Sequence, residues 1–408
     1  MDNQYAKMVD QKTDYLLGQP FTFQTDNEQY ETALKQIFNR KFHRLLQNLG
    51  ENSLNGGIGW IYVYYDEGGQ LSFKRFAPHE VLPFWADAEH TVLDCVVRVY
   101  EVEAYDGQEI TTIEKVEIYK DTGVERYELV DDVLVDDANN PSSDYMTLLD
   151  ASGNASGYNW GRIPIVAFKY NDGEIPLICK MKSLQDTLNE TLSDYANNMQ
   201  EDSRNTILII KNYDCQNLGE FRRNLATYGA VKVKTHDGAQ GGVDALQVQV
   251  NSENYKTLLE LLKLSLIENA MGFDAKNLRS SAPNQMNIQS MYSDVDLDAN
   301  GMETEYQASF EELLWFVNVH LANSGQGNFE DESIEIIFNR DMMMNESEII
   351  ENIRKSVGIL SNETLIANHT WVKDVAIELE RIEKETQAKA DAYEFPKGDD
   401  ENDHEEQT

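Results

Sequence analysis

The 408-residue chain is poor in basic charge: 34 Lys and Arg stand against 72 Asp and Glu, a formal net charge of −38. A surface of that sign repels nucleic acid and anionic lipid, which excludes the usual basic DNA-binding domain. Cysteine is scarce, with Cys95, Cys179 and Cys215 far apart and no CxxC. That excludes a disulfide framework and a thiolate metal site, and suits a reducing compartment. The seven histidines (His43, His79, His90, His236, His320, His369, His404) are scattered without an HxxxH pair, so no zinc site is expected. There is no GxSxG and no Walker loop, and carboxylates are too abundant for any pair to stand out as catalytic. No apolar run reaches the ~18 residues of a membrane span. The start, Met1-Asp-Asn-Gln-Tyr5, has neither the basic nor the apolar region of a signal peptide. The expectation is a soluble protein, made in cytoplasm, without catalytic residues, metal or cofactor.

What is present is patterned. Hydrophobic residues make up 41% and aromatics 10%, enough for a core. Helices are predicted over residues 3–17 and about 27–51, the second with Leu34, Ile37, Phe38, Phe42, Leu45, Leu46 and Leu49 at helical spacing. Trp60 to Tyr65, Asp66-Glu-Gly-Gly69 and Leu71 to Phe76 read as a hairpin. Short strands follow at 96–100, 112–119, 124–130 and 163–168, with polar, turn-rich sequence at 135–160. In 181–203, Met181, Leu184, Leu188, Leu192, Tyr195 and Met199 form an amphipathic seam. Residues 206–210, 229–234 and 246–250 read as strands, the last two joined by a loop over 236–242. A helical pattern resumes over 251–272.

Residues 273–288 read as a loop. The helix after it places Met302, Tyr306, Phe310, Leu313, Val317 and Leu321 on one face, with a bend suggested near Gly301. A strand at 333–338, a helix at 346–357 opened by Asn345-Glu-Ser-Glu348, and a helix over about 371–392 complete the pattern. Residues 399–408 carry six acids and no Lys or Arg, a solvated tail.

Two glycine or carboxylate clusters have plain readings. Gly56, Gly57 and Gly59 precede a strand rather than a helix, so they form a turn and not a phosphate cradle. Asp296, Asp298, Asn300 and Gly301 match the first half of a calcium loop, but Gln307 stands where a bidentate Glu belongs. An acidic helix face is the better reading.

Charge contrast is more informative. From Arg204 to His236 the chain carries Arg204, Lys211, Arg222, Arg223, Lys232 and Lys234 against only Asp214 and Glu220. Either this is an ordinary solvated face, or it docks an acidic partner or nucleic acid. From Gln289 to Asn323 there are seven acids (Asp294, Asp296, Asp298, Glu303, Glu305, Glu311, Glu312) and no Lys or Arg. Repeated around a ring, such a helix would line a negative corridor in which duplex DNA, with one charge per roughly 1.7 Å, slides rather than sticks.

The order of helix, compact β insert, helix, loop and long bent helix resembles the phage portal proteins, in particular those of siphoviruses of Gram-positive bacteria. Wording supports the likeness: Val9-Asp-Gln-Lys-Thr-Asp-Tyr-Leu-Leu-Gly-Gln-Pro20, Phe76-Ala-Pro-His-Glu-Val-Leu-Pro83, Asn284-Gln-Met-Asn-Ile-Gln-Ser-Met-Tyr-Ser-Asp294, Ser361-Asn-Glu-Thr-Leu365, His369-Thr-Trp-Val-Lys-Asp374 and Glu378-Leu-Glu-Arg-Ile382. Members of that family carry several dozen residues ahead of the position of Met1, and the C-terminal crown segment here is short.

The resemblance implies an α+β, elongated portal-type subunit with a mixed α/β wing, a helical stem, a small α/β clip and a helical crown, assembling into a dodecameric ring. It divides the chain into wing 1–180, first stem helix 181–203, clip 204–250, second stem helix 251–272, tunnel loop 273–288, kinked helix and returning wing strand 289–345, crown 346–392 and acidic disordered tail 393–408. It implies a non-enzymatic virion protein at one capsid vertex, assembled in the host cytoplasm. Double-stranded DNA would pass through its channel in packaging and ejection. Partners would be the terminase large subunit, head-completion or connector proteins, and the major capsid and scaffold proteins, with no membrane. By position, Lys276, Arg279, Asn284, Gln285 and Asn287 would face DNA from the tunnel loop. Arg222, Arg223, Lys232 and Lys234 would form the clip docking surface, and Asp294, Asp296, Asp298, Glu303 and Glu305 the acidic channel helix. Apart from the resemblance, the residues leave open a non-viral oligomeric scaffold or binding protein, or an acidic hydrolase.

Overall fold

A computed structural model describes residues 1–107, 109–149, 154–202, 206–211, 217, 219, 223, 226–227, 242–247, 252–274, 285–340, 346–369, 371–372 and 375–392. The chain divides into two compact units, Met1–Asp274 with Asp294–Asp341, and Ala275–Ser293 with Met342–Thr408.

The first unit opens with α1 (Gln4–Leu17), capped by the Asn3 side chain, which accepts from the Ala6 N–H. It closes at Gly18, whose N–H reaches the Asp14 carbonyl. β1 (Thr22–Gln24) follows. The single helix predicted over 27–51 is two, α2 (Glu28–Ile37) and α3 (Arg40–Gly56). Asn39 breaks it: its side chain accepts from the Lys41 N–H, offering the backbone a cap in place of continuation. The break lets the Phe38 ring turn onto Phe42 at 4.7 Å and Phe23 at 5.2 Å.

β2 (Ile58–Tyr65) and β3 (Leu71–Phe76) form the expected hairpin, with the Asp66 carboxylate accepting from the Gly68 and Gln70 N–H groups across the turn. β4 (Val81–Trp85), β5 (Leu93–Asp106), β6 (Glu109–Lys120), β7 (Gly123–Val130) and β8 (Val133–Asp136) make a five-stranded antiparallel sheet in that order. The stretch read as turns contains a further hairpin, β9 (Met146–Leu149) and β10 (Ala155–Tyr158). Its strands are only four residues each, Met-Thr-Leu-Leu and Ala-Ser-Gly-Tyr, and neither alternates strictly between apolar and polar residues. β11 (Ile165–Lys169) returns antiparallel to β2.

Next come α4 (Ile178–Asp202), β12 (Thr206–Lys211), β13 (Gly242–Gln247) and α5 (Ser252–Asn269). β13 begins inside the stretch read as loop and pairs antiparallel with β12, Ile209 opposite Asp244. The predicted strand at 229–234 lies outside the described residues. α6 (Gln285–Asn323) starts earlier than expected, so 285–288 are helix rather than loop. The nearest proline, Pro283, precedes them, and nothing in Gln-Met-Asn-Ile opposes helix. Helix is continuous through Gly301, where an added Cβ would meet nothing within 4 Å. β14 (Glu335–Ile337) pairs with β1, Phe23 opposite Ile336.

In the second unit lie α7 (Glu346–Ser356), α8 (Asn362–Ala367) and α9 (Val375–Ala392). Ser361 caps α8, its hydroxyl accepting from the Thr364 N–H, and the helix expected from Trp371 begins at Val375. The predicted cap residue Asn345 and the tail 393–408 lie outside the described residues.

The predicted apolar face of α6 is the spine of the main core: Met302, Tyr306, Phe310, Leu313, Val317 and Leu321 are all at most 2% exposed. The Phe310 ring lies 5.2 Å from Phe21, 5.5 Å from Phe168 and 6.0 Å from both Phe42 and Phe338. It thereby joins elements from both ends of the first unit, and Phe310→Ala is expected to lower the unfolding free energy in urea by about 3–5 kcal/mol. Burial also raises the Tyr62 phenol to about 12. Since the folded state holds this proton more tightly than the unfolded chain, the associated stability is intact below pH ~10 and is lost as the pH rises through about 12. Thermal melts between those limits should show Tyr62→Phe losing less stability than the parent.

Candidate functional site

Of the residues expected to face DNA, those the structure describes all lie on α6, and α4 and α5 lie in the same unit as α6 from Asp294 onward. α4 and α5 pack by the seam read from the sequence. Met181, Leu188 and Leu266 are fully buried, with Leu184, Leu192, Leu259 and Leu262 beside them. The Tyr195 and Tyr255 rings lie 5.0 Å apart, and the Tyr255 hydroxyl accepts from Asn198 at 3.1 Å.

The N-terminus of α1 docks on this pair. The Gln185 side chain accepts from the backbone N–H groups of Gln4 (3.0 Å) and Tyr5 (3.1 Å), two donors that a helix start leaves unsatisfied. Its amide nitrogen donates to the Asp2 carbonyl. Asp2 also pairs with Lys263 of α5 at 2.5 Å and donates from its N–H to Asn189 of α4.

About two turns further along, α1 grips the chain leaving α5. The Gln11 side chain donates to the Phe273 carbonyl at 2.9 Å and accepts from the Phe273 N–H at 2.8 Å. Lys12 donates to the Met271 carbonyl at 3.2 Å, at a residue held at φ +52°. Gly272 between them lies so close to α1 that a Cβ would sit 2.5 Å from the Met8 sulfur.

Lys12 is a buried cation, its side chain 4% exposed. Its ammonium meets the Asp298 carboxylate of α6 at 2.6 Å, and Asp298 also accepts from the Tyr170 hydroxyl at 2.8 Å and faces Lys180 at 3.6 Å. Burial pulls the Lys12 ammonium below the usual lysine range, and Asp298 opposes that pull. The Tyr170 phenol is pushed up, first by burial and then by the carboxylate it donates to. A second cation, Arg340, pairs with Asp296 at 3.1 Å and with Glu303, and donates to the Asn300 side chain at 2.8 Å. Tyr15 donates to Asp296 as well.

The expected acidic row on α6 is therefore divided. Asp296, Asp298 and Glu303 are held by cations of the same subunit, while Asp294 is exposed. Glu305 is half-buried, and burial raises its carboxyl against the pull of Lys169. Gln285 and Asn287 fall in the first turn of α6. Lys276, Arg279, Asn284, Arg222, Lys232 and Lys234 lie outside the described residues, whereas Arg223 is helical and exposed.

Sequence reasoning missed the cations that engage α6: Lys12, Lys180 and Arg340. One signal was available. Lys12 follows Met8 by four residues and precedes Leu16 by four, which sets a lysine on the apolar face of α1, where a charge requires an acidic partner.

Elsewhere in the first unit, a groove of about 1200 Å³ is lined by Tyr62, Tyr64, Tyr119, Tyr145 and Trp160 with Glu117. Glu117 there pairs with Arg98 and accepts from the Tyr119 hydroxyl. Among the described residues no group of His, Cys, Asp and Glu is placed to hold a metal, and no helix is long and apolar enough to cross a membrane.

The phage portal protein family of the SPP1 Gp6-like type matches residues 3–392. The portal protein of Bacillus phage SPP1 is 30% identical over 382 residues, which cover 92% of this chain and 74% of that protein. The portal protein of Clostridium phage phiCD119 is 25% identical over 401 residues, covering 95% and 85%. Among solved structures, a chain from the virion of a native gene transfer agent particle is similar over 89% of this chain and 88% of its own, at 12% identity and a TM-score of 0.43, too distant a likeness to argue from.

Losing one member of the Lys12–Asp298 pair leaves the other charge buried. Lys12→Met is expected to cost about 3 kcal/mol in urea unfolding, with Asp298→Asn in the same chain returning part of it.

Proposed function

Because the chain belongs to the SPP1 Gp6-like family of phage portal proteins, we propose that it acts as one subunit of a dodecameric ring that docks the packaging motor outside the shell. Its class is that of a structural, non-enzymatic virion protein, a portal at the capsid vertex through which DNA passes in a ring of subunits. The single observation that carries this reading is the family match along nearly the whole chain, which sets aside the non-viral scaffold and the acidic hydrolase. The ring of twelve, assembly in the host cytoplasm, and the terminase, head-completion, major capsid and scaffold partners are the finer reading.

Several physical features support the finer reading. A ring needs heterologous contacts, one patch meeting a different patch on the next copy. Segment 204–250, basic from Arg204 to His236 in a chain of net charge −38, has the right sign to be the clip that docks an acidic face of the terminase large subunit. Residues 273–288 form the tunnel loop and its return into α6, with Lys276 and Arg279 offering phosphate contacts and Asn284, Gln285 and Asn287 polar ones. Two phosphate-seeking cations per subunit, set in an otherwise acidic lining, give DNA a weak and repeated hold. Of the five α6 acids expected to line the channel, Asp294 and Glu305 are the ones left to face it, since the other three are engaged within the subunit.

Electron micrographs of the purified protein should show rings with a central hole, and its mass in solution should be that of twelve copies. A monomer or dimer under all conditions overturns the ring. Reversing Arg222, Arg223, Lys232 and Lys234 to Glu together is expected to lower terminase-dependent packaging by at least about tenfold, with ring formation intact. Unchanged packaging removes these residues from the dock.

A further inference from the structure

The five-stranded sheet has two edges, β4 and β8, and they are finished differently. β4 carries Pro83 at its centre, which has no N–H to offer a further strand. β8 has no such block. Its sequence is Val133-Leu-Val-Asp136, with neither Pro nor Lys, and every residue is exposed: Val133 at 60%, Leu134 at 47%, Val135 at 49%. Val130, paired with Val133 across the turn, is 49% exposed, and Val102 on β5 adds 39%.

The hydrogen-bond phase of this edge is fixed by one contact. The Asp137 N–H donates to the Arg126 carbonyl at 3.1 Å. Counting back by two, Val135 and Val133 turn their backbone groups toward Glu128 and Val130 of β7. Leu134 and Asp136 then turn theirs away from the sheet, and among the described residues no strand lies there. An apolar edge with an open ladder is the surface that natural sheets cover or blunt.

Acids bracket this edge. Asp131 and Asp132 form the two-residue turn, both at positive φ (49° and 62°), and Asp136 closes the other end, all three exposed. Antiparallel pairing of two copies of β8 about Leu134 would set Asp132 opposite Asp136 at both ends. Like charges directly opposite destabilise a pair, and two chains of −38 repel in any case. The bracket selects against a second copy and for a strand of opposite charge pattern.

We infer that β8 is a docking edge for an extended segment of a different protein, apolar at alternate positions and bracketed by Lys or Arg. The segment adds as a sixth strand, bonding Leu134 and Asp136 through the backbone and the three aspartates through its cations. This assignment does not depend on the portal reading, since it uses only the sheet.

The test uses the full chain and two synthetic peptides, Lys-Lys-Val-Thr-Val-Thr-Val-Lys-Lys and the same core flanked by Glu pairs. Hydrogen exchange should slow at the amides of Leu134 and Asp136 with the basic peptide at up to about 1 mM, and affinity should exceed that for the acidic peptide by at least about tenfold. Leu134→Pro removes the outward N–H and should abolish the protection. Asp131→Asn, Asp132→Asn and Asp136→Asn together leave the ladder and should erase the preference between peptides while keeping binding, which holds even if the proline variant does not fold. Protection absent or located elsewhere, equal affinity for both peptides, or self-association of the unmodified chain through β8 each overturns the assignment.

Discussion

The first unit is held in register by a buried lysine. Lys12 stands on the apolar face of α1, where its ammonium can stay charged only if the fold brings it acceptors. Those acceptors come from two distant places in the chain, the Met271 carbonyl after α5 and the Asp298 carboxylate on α6. Asp298 in turn gathers Tyr170 from just after β11 and Lys180 from the start of α4. One ion pair and its neighbours therefore set the relative positions of five segments, and a shift of α1 or α6 would strand a charge. Such a pair adds less net stability than apolar packing of the same volume would. What it fixes is position, and position is what the chain leading into residues 275–284 needs.

Gln11 explains why that position is set from α1. By bonding both backbone groups of Phe273, it holds the first residue of the proposed tunnel loop as a strand neighbour would. With Gly272 pressed against Met8, the exit from α5 has no freedom to slide along α1. The stretch Val9-Asp-Gln-Lys-Thr-Asp-Tyr15, which on sequence resembled other portal proteins, thus has a mechanical reading: Gln11, Lys12 and Tyr15 each bond a segment more than 250 residues away.

Patterns that repeat were legible in the sequence, and single contacts were not. The buried face of α6, from Met302 to Leu321, and the α4 seam were visible because packing against one core demands a helical period. The hairpin at Asp66 was visible because its turn residues are local. Asn39, by contrast, ended a helix through a side-chain cap inside a run of good helical spacing, and periodicity does not register a cap. β9 and β10 carried no alternation because neither face of that hairpin is buried enough to require it. β14 found its partner β1 more than 300 residues away, a pairing no local pattern encodes. The acids of α6 read as one uniform stripe because the cations that divide them, Lys12, Lys180 and Arg340, lie on other elements.

That division changes what an acidic helix can mean here. A stripe of free carboxylates would be equally repulsive along its length. With Asp296, Asp298 and Glu303 bound to internal cations, the α6 acids without an ion pair among the described residues are Asp294 toward one end of the helix and Glu305, Glu311 and Glu312 further along. In a ring, charges so spaced would present bands separated by neutral surface rather than a continuous wall. Were α6 to line a channel, DNA crossing such bands would meet alternating weaker and stronger repulsion. Internal pairing thus decides which of the acids of α6 any partner of this helix would meet.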